Sequence, residues 1–150
     1  MARLPILVAP DPRLKQVATP VARVDDAVRQ LMDDMLETMY LAPGIGLAAP
    51  QVGVLKRVIV VDVGPKETPH PYLMANPELI WVSDEDQNFN EGCLSLPDHY
   101  ADVVRPKAIR VRYLDRDNEI RELEADGLLA TCIQHEIDHL DGVLFIDHAT

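Results

Sequence analysis

Residues 132–142 read CIQHEIDHLDG and place two histidines, His135 and His139, four positions apart in a segment with helical periodicity. On an α-helix such positions lie about 40° apart around the axis and ~6 Å apart along it, so both imidazoles can reach one metal ion. Glu136 lies ~100° from His135 and flanks that ion without having to ligate it. This H-E-x-x-H pattern is typical of metal-dependent hydrolases. A catalytic metal needs three protein ligands and an open position, so the fold must bring a third ligand to this helix.

The third ligand has to come from a distant part of the chain. Cys93 directly follows Gly92 in FNEGCLSLPDHY, and a glycine at that point lets the backbone approach the ion closely. Local sequence therefore favours Cys93, although spacing alone leaves the alternatives open. Those alternatives are a remote carboxylate, His70 among prolines, His99 in a predicted loop and His148 near the C-terminus.

Composition excludes several classes of protein. The 150 residues carry a net charge of −11 with no cluster of Lys and Arg, which argues against a nucleic-acid backbone as the main partner. No apolar run approaches the 18 residues that a membrane span needs. Two cysteines are too few for a disulfide scaffold. Residues 1–14 lack the features of a signal or transit peptide and are predicted to form an edge strand, so the protein is expected to work where it is made.

Two segments have helical periodicity. Residues 25–40 place apolar side chains on one stripe, with Asp25 or Asp26 as the N-cap. Its methionines are interpreted as core residues. A second helix is predicted after Asp126, with Gly142 at the position that follows the helix end.

The segments between the two helices indicate strands. Residues 55–63 form a β-branched run, and residues 71–80 and the stretch around Trp81 indicate further short strands. Residues 108–125 alternate on both sides of the turn-forming Asp-Arg-Asp-Asn at 115–118, which predicts a hairpin. This order indicates an α+β fold in a single domain, residues 1–150, without a regular βαβ alternation.

Three residues continue the histidine face toward the start of the second helix: Leu128, Thr131 and Cys132. A metal at one end of such a stripe is typical of an active-site floor with a pocket wall. The hydroxyl of Thr131 indicates a cavity or a hydrogen-bond partner. Cys132 is interpreted as an inert buried thiol.

Three segments resemble the signature motifs of the bacterial peptide deformylases, in the same order and over nearly the whole chain. They are GIGLAAPQ at 44–51, EGCLSLP at 91–97 and QHEIDHLDG at 134–142. The resemblance implies antiparallel and mixed sheets packed around the helix that carries HEIDH, with an N-terminal helix. It also implies one divalent metal held by Cys93, His135 and His139. Fe²⁺ is the expected native ion, and Zn²⁺, Ni²⁺ or Co²⁺ are expected to substitute.

The resemblance further implies a reaction. A metal-bound water would attack the N-formyl group of formyl-methionyl nascent peptides and release formate, with Glu136 as general acid–base. The side chain of Gln51 and the backbone N–H of Leu94 would stabilise the oxyanion. The substrate would bind against Ile45, Gly46, Glu91, Leu128 and Cys132. Asp138 and Glu91 are candidates for orienting the imidazoles, and Asp138 alternatively pairs with Arg105.

Some features depart from the family pattern. Thr131 occupies a pocket position that is often aliphatic, and Tyr100 stands in a rim stretch that is often basic. The sequence ends at LFIDHAT, whereas many bacterial members continue into a basic helix linked to ribosome docking. The expected partners are therefore formyl-methionyl peptides, with at most transient contact with the ribosome, in the bacterial cytoplasm.

Two other functions compete with this interpretation. A zinc peptidase would use the same helix with a distant carboxylate ligand, but only eleven residues follow His139. A non-catalytic module would keep the pocket and bind formyl-peptides or a partner without turnover.

Overall fold

The computed structural model describes residues 3–65 and 67–148, which form two α-helices and seven strands. The helices are α1 (Asp26–Leu41) and α2 (Gly127–Leu140). The strands are β1 (Gly46–Ala48), β2 (Val58–Val61), β3 (Tyr72–Val82), β4 (Asp86–Cys93), β5 (Leu96–Pro106), β6 (Ala108–Leu114) and β7 (Ile120–Asp126). Short 3₁₀ helices span Pro12–Lys15, Ala49–Val52 and Phe145–His148. None of the described helices is long and apolar enough to cross a membrane.

A five-stranded antiparallel sheet with the order β1-β2-β3-β6-β7 lies between the two helices. Strand β2 is buried on both faces, and its side chains alternate between two apolar clusters. Val58 and Val60 pack with α1, whereas Ile59 and Val61 pack with α2. Because successive side chains point to opposite faces and both faces are buried, every position of β2 is apolar, which explains its continuous β-branched run.

Helix α1 begins where the sequence predicts. The carboxylate of Asp25 accepts a hydrogen bond from the backbone N–H of Val28 at 2.9 Å, so Asp25 is the N-cap. The methionines Met32, Met35 and Met39 are fully buried in the cluster between α1 and the sheet. The interpretation of these methionines as core residues is confirmed.

Strands β4 and β5 form a separate two-stranded sheet. Cys93 pairs with Leu96 across a two-residue turn, so the thiol lies at the tip of this hairpin. A third apolar cluster, which includes Leu14, Leu96 and Phe145, lies between the hairpin and the 3₁₀ helices near the two chain ends. This cluster thereby holds the hairpin against the 3₁₀ helices at Pro12–Lys15 and Phe145–His148.

The structure corrects the prediction of an N-terminal edge strand. Residues 3–14 form no strand, and residues 3–8 are attached by single hydrogen bonds and apolar packing, including Leu7 N–H to Gln51 O at 2.7 Å. Pro5 and Pro10 lack the N–H groups that a strand ladder needs, which explains the difference. Residues 72–82 form one irregular strand in place of the predicted short strands, and its pairing with β6 shifts register after Ala75 and again after Leu79.

Both ends of α2 lie close to the predicted positions. Asp126 is the N-cap residue with an extended backbone, but its side chain makes no capping hydrogen bond. Gly142 has φ +74°, the left-handed conformation that suits glycine after a helix end. The predicted hairpin is confirmed as β6 and β7, which pair from Ala108–Asp126 to Leu114–Ile120.

Candidate metal centre

Three potential ligand atoms converge where the β4–β5 hairpin tip meets α2. Cys93 Sγ lies 3.3 Å from His139 Nε2, which in turn lies 3.3 Å from His135 Nε2. All three atoms lie within 4.8 Å of one another. Cys93 is therefore the third residue of this group, and it is the one that the local sequence favours. His70 and His99 are exposed and do not belong to this group, and the side chain of His148 lies outside the described residues.

The spacing of these atoms fits a tetrahedral metal site. Metal–sulfur and metal–nitrogen bonds of ordinary length place neighbouring ligand atoms about 3.3–3.6 Å apart. The two 3.3 Å separations agree with that spacing. Both imidazoles are buried, so neither is a solvated surface group. A thiolate and two imidazoles are a donor set that suits Zn²⁺, Fe²⁺ and related divalent ions.

The electrostatics around these side chains favour a cation. Burial alone lowers the pKa of His135, but the hydrogen bond to Cys93 and the charge of Glu136 outweigh burial and raise this pKa to about 10. Burial and the charge of His135 lower the pKa of His139. The surroundings thus favour a positive charge at His135, and a bound metal ion would carry a charge of the same sign.

A buried ion-pair network orients His135. Its Nδ1 lies 2.9 Å from Glu91 Oε1 and donates to it, because a carboxylate only accepts. In the neutral imidazole, which is the form that binds a metal, Nε2 then carries the lone pair. Arg105 donates two hydrogen bonds to Glu91, of 2.7 and 3.0 Å, and a third to Asp138 at 2.8 Å. Of the two predicted roles for Asp138, the structure shows the pairing with Arg105. Glu91 is the carboxylate that contacts an imidazole.

His139 differs from His135 in this respect. Its Nδ1 is buried and has no partner among the described residues. The two imidazoles are therefore held by different forces, one by a charged network and the other by packing.

Two site residues were not singled out by the sequence. The ring of Phe145 stacks on His135, with centroids 5.8 Å apart and planes 26° apart. The hydroxyl of Ser95 accepts a hydrogen bond from Gln51 Nε2 at 3.1 Å. Ser95 lies within the EGCLSLP segment, two residues after Cys93, but no local pattern assigns a role to it. Phe145 reaches His135 through tertiary packing.

Gln51 is almost completely buried beside the ligand group. Its Oε1 accepts from the backbone N–H of Ala48 at 2.9 Å, and its Nε2 lies 3.5 Å from Cys93 Sγ. These bonds fix the direction of the amide, so its N–H groups point toward Cys93 and Ser95. A solvent-exposed loop role for Gln51 is excluded.

The ligand group opens into a cavity of about 660 Å³. Its lining includes Ile45, Gly46, Glu91, Leu128, Thr131 and Cys132, all on the wall that the sequence predicts. Ile45 and Leu128 remain partly exposed at the mouth. Tyr100 is exposed at the rim, where its ring lies against Gly92.

Glu136 lies in the wall of this cavity and is buried. Its Oε1 has no hydrogen-bond partner among the described residues, and burial raises its pKa to about 7. A carboxylate in this position can exchange a proton with a molecule in the cavity.

Gly46 is required by the close approach of β1 to α2. A Cβ at this position would lie 2.5 Å from Glu136 Oε2 and 2.7 Å from Cys132 Sγ. We expect Gly46→Ala to displace the Glu136 carboxylate and to lower kcat for the hydrolysis that the resemblance implies about a hundredfold. Misplacing a reacting group by about 1 Å has an effect of that size. Steady-state kinetics beside a thermal melt would measure it. Wild-type turnover in the folded variant would contradict the expectation.

Comparison with known proteins identifies relatives along the whole chain. Residues 3–150 match the sequence profile of the family described as polypeptide deformylase. A peptide deformylase of Methylocella silvestris is 62% identical over 148 residues, covering 96% of this chain and 76% of the relative. The peptide deformylase of Mesorhizobium japonicum is 57% identical over 145 residues, covering 96% of this chain and 82% of the relative.

Solved structures agree with these relatives. The crystal structure of peptide deformylase from Ehrlichia chaffeensis in complex with actinonin has a TM-score of 0.95 at 43% identity, covering 100% of this chain and 90% of that one. The peptide deformylase from Thermotoga maritima has a TM-score of 0.94 at 40% identity, covering 100% and 99%. The predicted α+β fold, with sheets packed around the HEIDH helix, is confirmed.

Proposed function

The chain belongs to the polypeptide deformylase family, and we propose on that premise that it removes the N-formyl group from formyl-methionyl peptides and releases formate. The observation that carries the proposal is the convergence of Cys93, His135 and His139 beside Glu136 at the wall of one cavity. The family assignment favours an enzyme over a non-catalytic module.

Cys93, His135 and His139 would hold one divalent ion, with the cavity on its open side. When bound, such an ion lowers the pKa of a coordinated water toward neutrality and supplies a nucleophile for amide hydrolysis. We propose Fe²⁺ as the native ion, with Zn²⁺, Ni²⁺ or Co²⁺ as substitutes. Glu91 and Arg105 would keep the His135 ring in its ligating orientation.

Glu136 would move the proton of the reaction. Its buried Oε1 is free of protein partners among the described residues, so it can accept a proton from the attacking water. The same carboxylate can then deliver that proton to the departing amine. Two proton transfers by one group avoid the release of an unstable amide anion.

Gln51 and Leu94 would stabilise the charge that develops on the formyl oxygen. The Gln51 amide is buried and aimed toward Cys93, and Leu94 follows Cys93 in the hairpin turn. Loss of one such donor typically raises the barrier by about 3 kcal/mol.

The first side chain of the peptide would occupy the pocket formed by Ile45, Leu128 and Cys132. Methionine is long, flexible and polarizable, which suits an apolar pocket of this kind. Gly46 would let the peptide backbone lie alongside β1. Substrate contact by Glu91 stays a prediction, since both its oxygens already bond to His135 or Arg105.

The proposed function is tested with the full chain loaded anaerobically with Fe²⁺ and given formyl-Met-Ala-Ser. Formate release that stops on chelation supports the proposal. Cleavage of an internal peptide bond would indicate a peptidase, and binding without turnover would indicate a non-catalytic module.

The proposed iron–thiolate site leads to a prediction about oxygen. We expect aerobic preparation to lose iron or oxidise Cys93, because a thiolate beside a redox-active ion is readily oxidised. Metal analysis and mass spectrometry of matched aerobic and anaerobic preparations would measure this. Equal activity with intact iron in both would contradict it.

We further propose that the protein acts on nascent chains in the bacterial cytoplasm. The proposed reaction needs a formylated N-terminus, which nascent bacterial chains carry, and the named relatives are bacterial. Contact with the ribosome would be transient.

A further inference from the structure

Thr131 places a hydroxyl in the wall of the pocket proposed for the first side chain. Its side chain is almost completely buried and lines the cavity with Leu128 and Cys132. The Nε2 of Gln87, on β4, donates to Thr131 Oγ1 at 2.9 Å and to the carbonyl oxygen of Gly127 at 2.8 Å. Gln87 therefore joins β4 to the first turn of α2.

The second of these bonds decides the direction of the first. A carbonyl oxygen only accepts, so the group of Gln87 that faces Gly127 must be the NH₂ group. The same nitrogen faces Thr131 Oγ1, which therefore accepts the bond. The hydroxyl proton of Thr131 is consequently not directed at Gln87.

A buried threonine on a helix usually donates its proton to the carbonyl four residues earlier. Thr38 on α1 does so, with a bond of 2.7 Å to the carbonyl of Asp34. Thr131 makes no such bond to the corresponding carbonyl, that of Gly127, which accepts from Gln87 Nε2 at 2.8 Å. Among the described residues no acceptor receives the Thr131 proton, and the remaining direction is the cavity.

A free donor in this wall discriminates between occupants of the pocket. The thioether of methionine is only a weak acceptor. Oxidation to the sulfoxide makes the same side chain polar, with a strong acceptor oxygen. In a wholly apolar pocket that oxygen would lose its water without compensation, whereas a hydroxyl donor satisfies it.

We propose that Thr131, oriented by Gln87, allows the pocket to take peptides that begin with N-formyl-methionine sulfoxide as well as N-formyl-methionine. This inference rests on the proposed function. It makes Thr131 a specificity-determining residue and Gln87 a positioning residue that acts through it.

The test compares two substrates in one anaerobic, Fe²⁺-loaded preparation: formyl-methionine-sulfoxide-Ala-Ser and formyl-norleucine-Ala-Ser. Norleucine has a similar shape but no acceptor. We expect Thr131→Val to lower the ratio of the two kcat/KM values about tenfold, the effect of one lost hydrogen bond. Thr131→Ser restores the donor and is expected to keep the ratio within about threefold of the wild type.

Gln87→Leu provides a second measurement. Without the Gln87 amide, the Thr131 hydroxyl is free to turn to the Gly127 carbonyl, so the sulfoxide ratio is expected to fall although Thr131 is intact. This result decides the matter if Thr131→Val does not fold. Thr38→Val is the matched control, a buried helical threonine that does not line the cavity, and its ratio should equal that of the wild type.

The possible failures are distinguishable. Absence of formate from both substrates and from formyl-Met-Ala-Ser would overturn the proposed function. Hydrolysis of formyl-norleucine-Ala-Ser with a ratio that neither Thr131→Val nor Gln87→Leu lowers would overturn only the role of Thr131. An equal fall in the Thr38→Val control would also overturn it.

Discussion

Glu136→Ala is expected to lower kcat/KM for formyl-Met-Ala-Ser by about three orders of magnitude while the protein keeps its metal. Glu136 lines the cavity beside the ligand group, with one buried oxygen free of protein partners among the described residues. It is not one of the three converging ligand atoms, so its loss removes proton transfer and leaves the metal site in place. Steady-state kinetics and metal analysis of the same preparation would measure both effects.

The stability of this variant provides an independent check. A buried carboxylate oxygen without a partner destabilises the folded state, so the variant should not melt below the wild type. Glu124→Ala is the matched control, because Glu124 lies on β7 and pairs with Arg110 at an exposed position. Undiminished turnover in Glu136→Ala would remove this residue from the mechanism.

Arg105→Ala is expected to lower the free energy of unfolding by about 3–5 kcal/mol. Arg105 is buried and bonds to Glu91 and Asp138, so its removal leaves the Glu91 carboxylate in the interior without the two hydrogen bonds of the guanidinium. Glu91 also orients His135. Disturbing a carboxylate that orients a ligating imidazole weakens metal binding by roughly 10–100-fold. Chemical denaturation and a metal-competition titration would measure the two effects.

Arg112→Ala is the control for this prediction. Arg112 pairs with Glu122 across β6 and β7 at 3.1 Å, and both side chains are about half exposed. An exposed pair of this kind contributes about 0–1 kcal/mol. If Arg105→Ala were no more destabilising than Arg112→Ala, and metal affinity were unchanged, the buried ion pairs of Arg105 would contribute neither to stability nor to metal binding.

Local patterns in the sequence were sufficient for several elements. The apolar stripe of α1, its cap at Asp25 and the β6–β7 hairpin were all predicted, because each depends on neighbours a few residues apart. The same holds for His135 and His139, which one turn of helix brings together. The edge strand predicted at residues 1–14 was wrong for the described residues 3–14, because the prolines there outweigh the apolar pattern.

The sequence by itself predicted the two helical histidines as metal ligands, the glutamate beside them as the proton-transfer group and, through three motifs, the family. Only the tertiary structure decided that the Cys93 sulfur lies 3.3 Å from His139, that Arg105 joins Glu91 to Asp138, and that Gln87 holds Thr131. The partners in these contacts are 14–46 residues apart along the chain. Helical and strand periodicity extends over only a few residues, so such distances depend on how the hairpin, the sheet and α2 pack together.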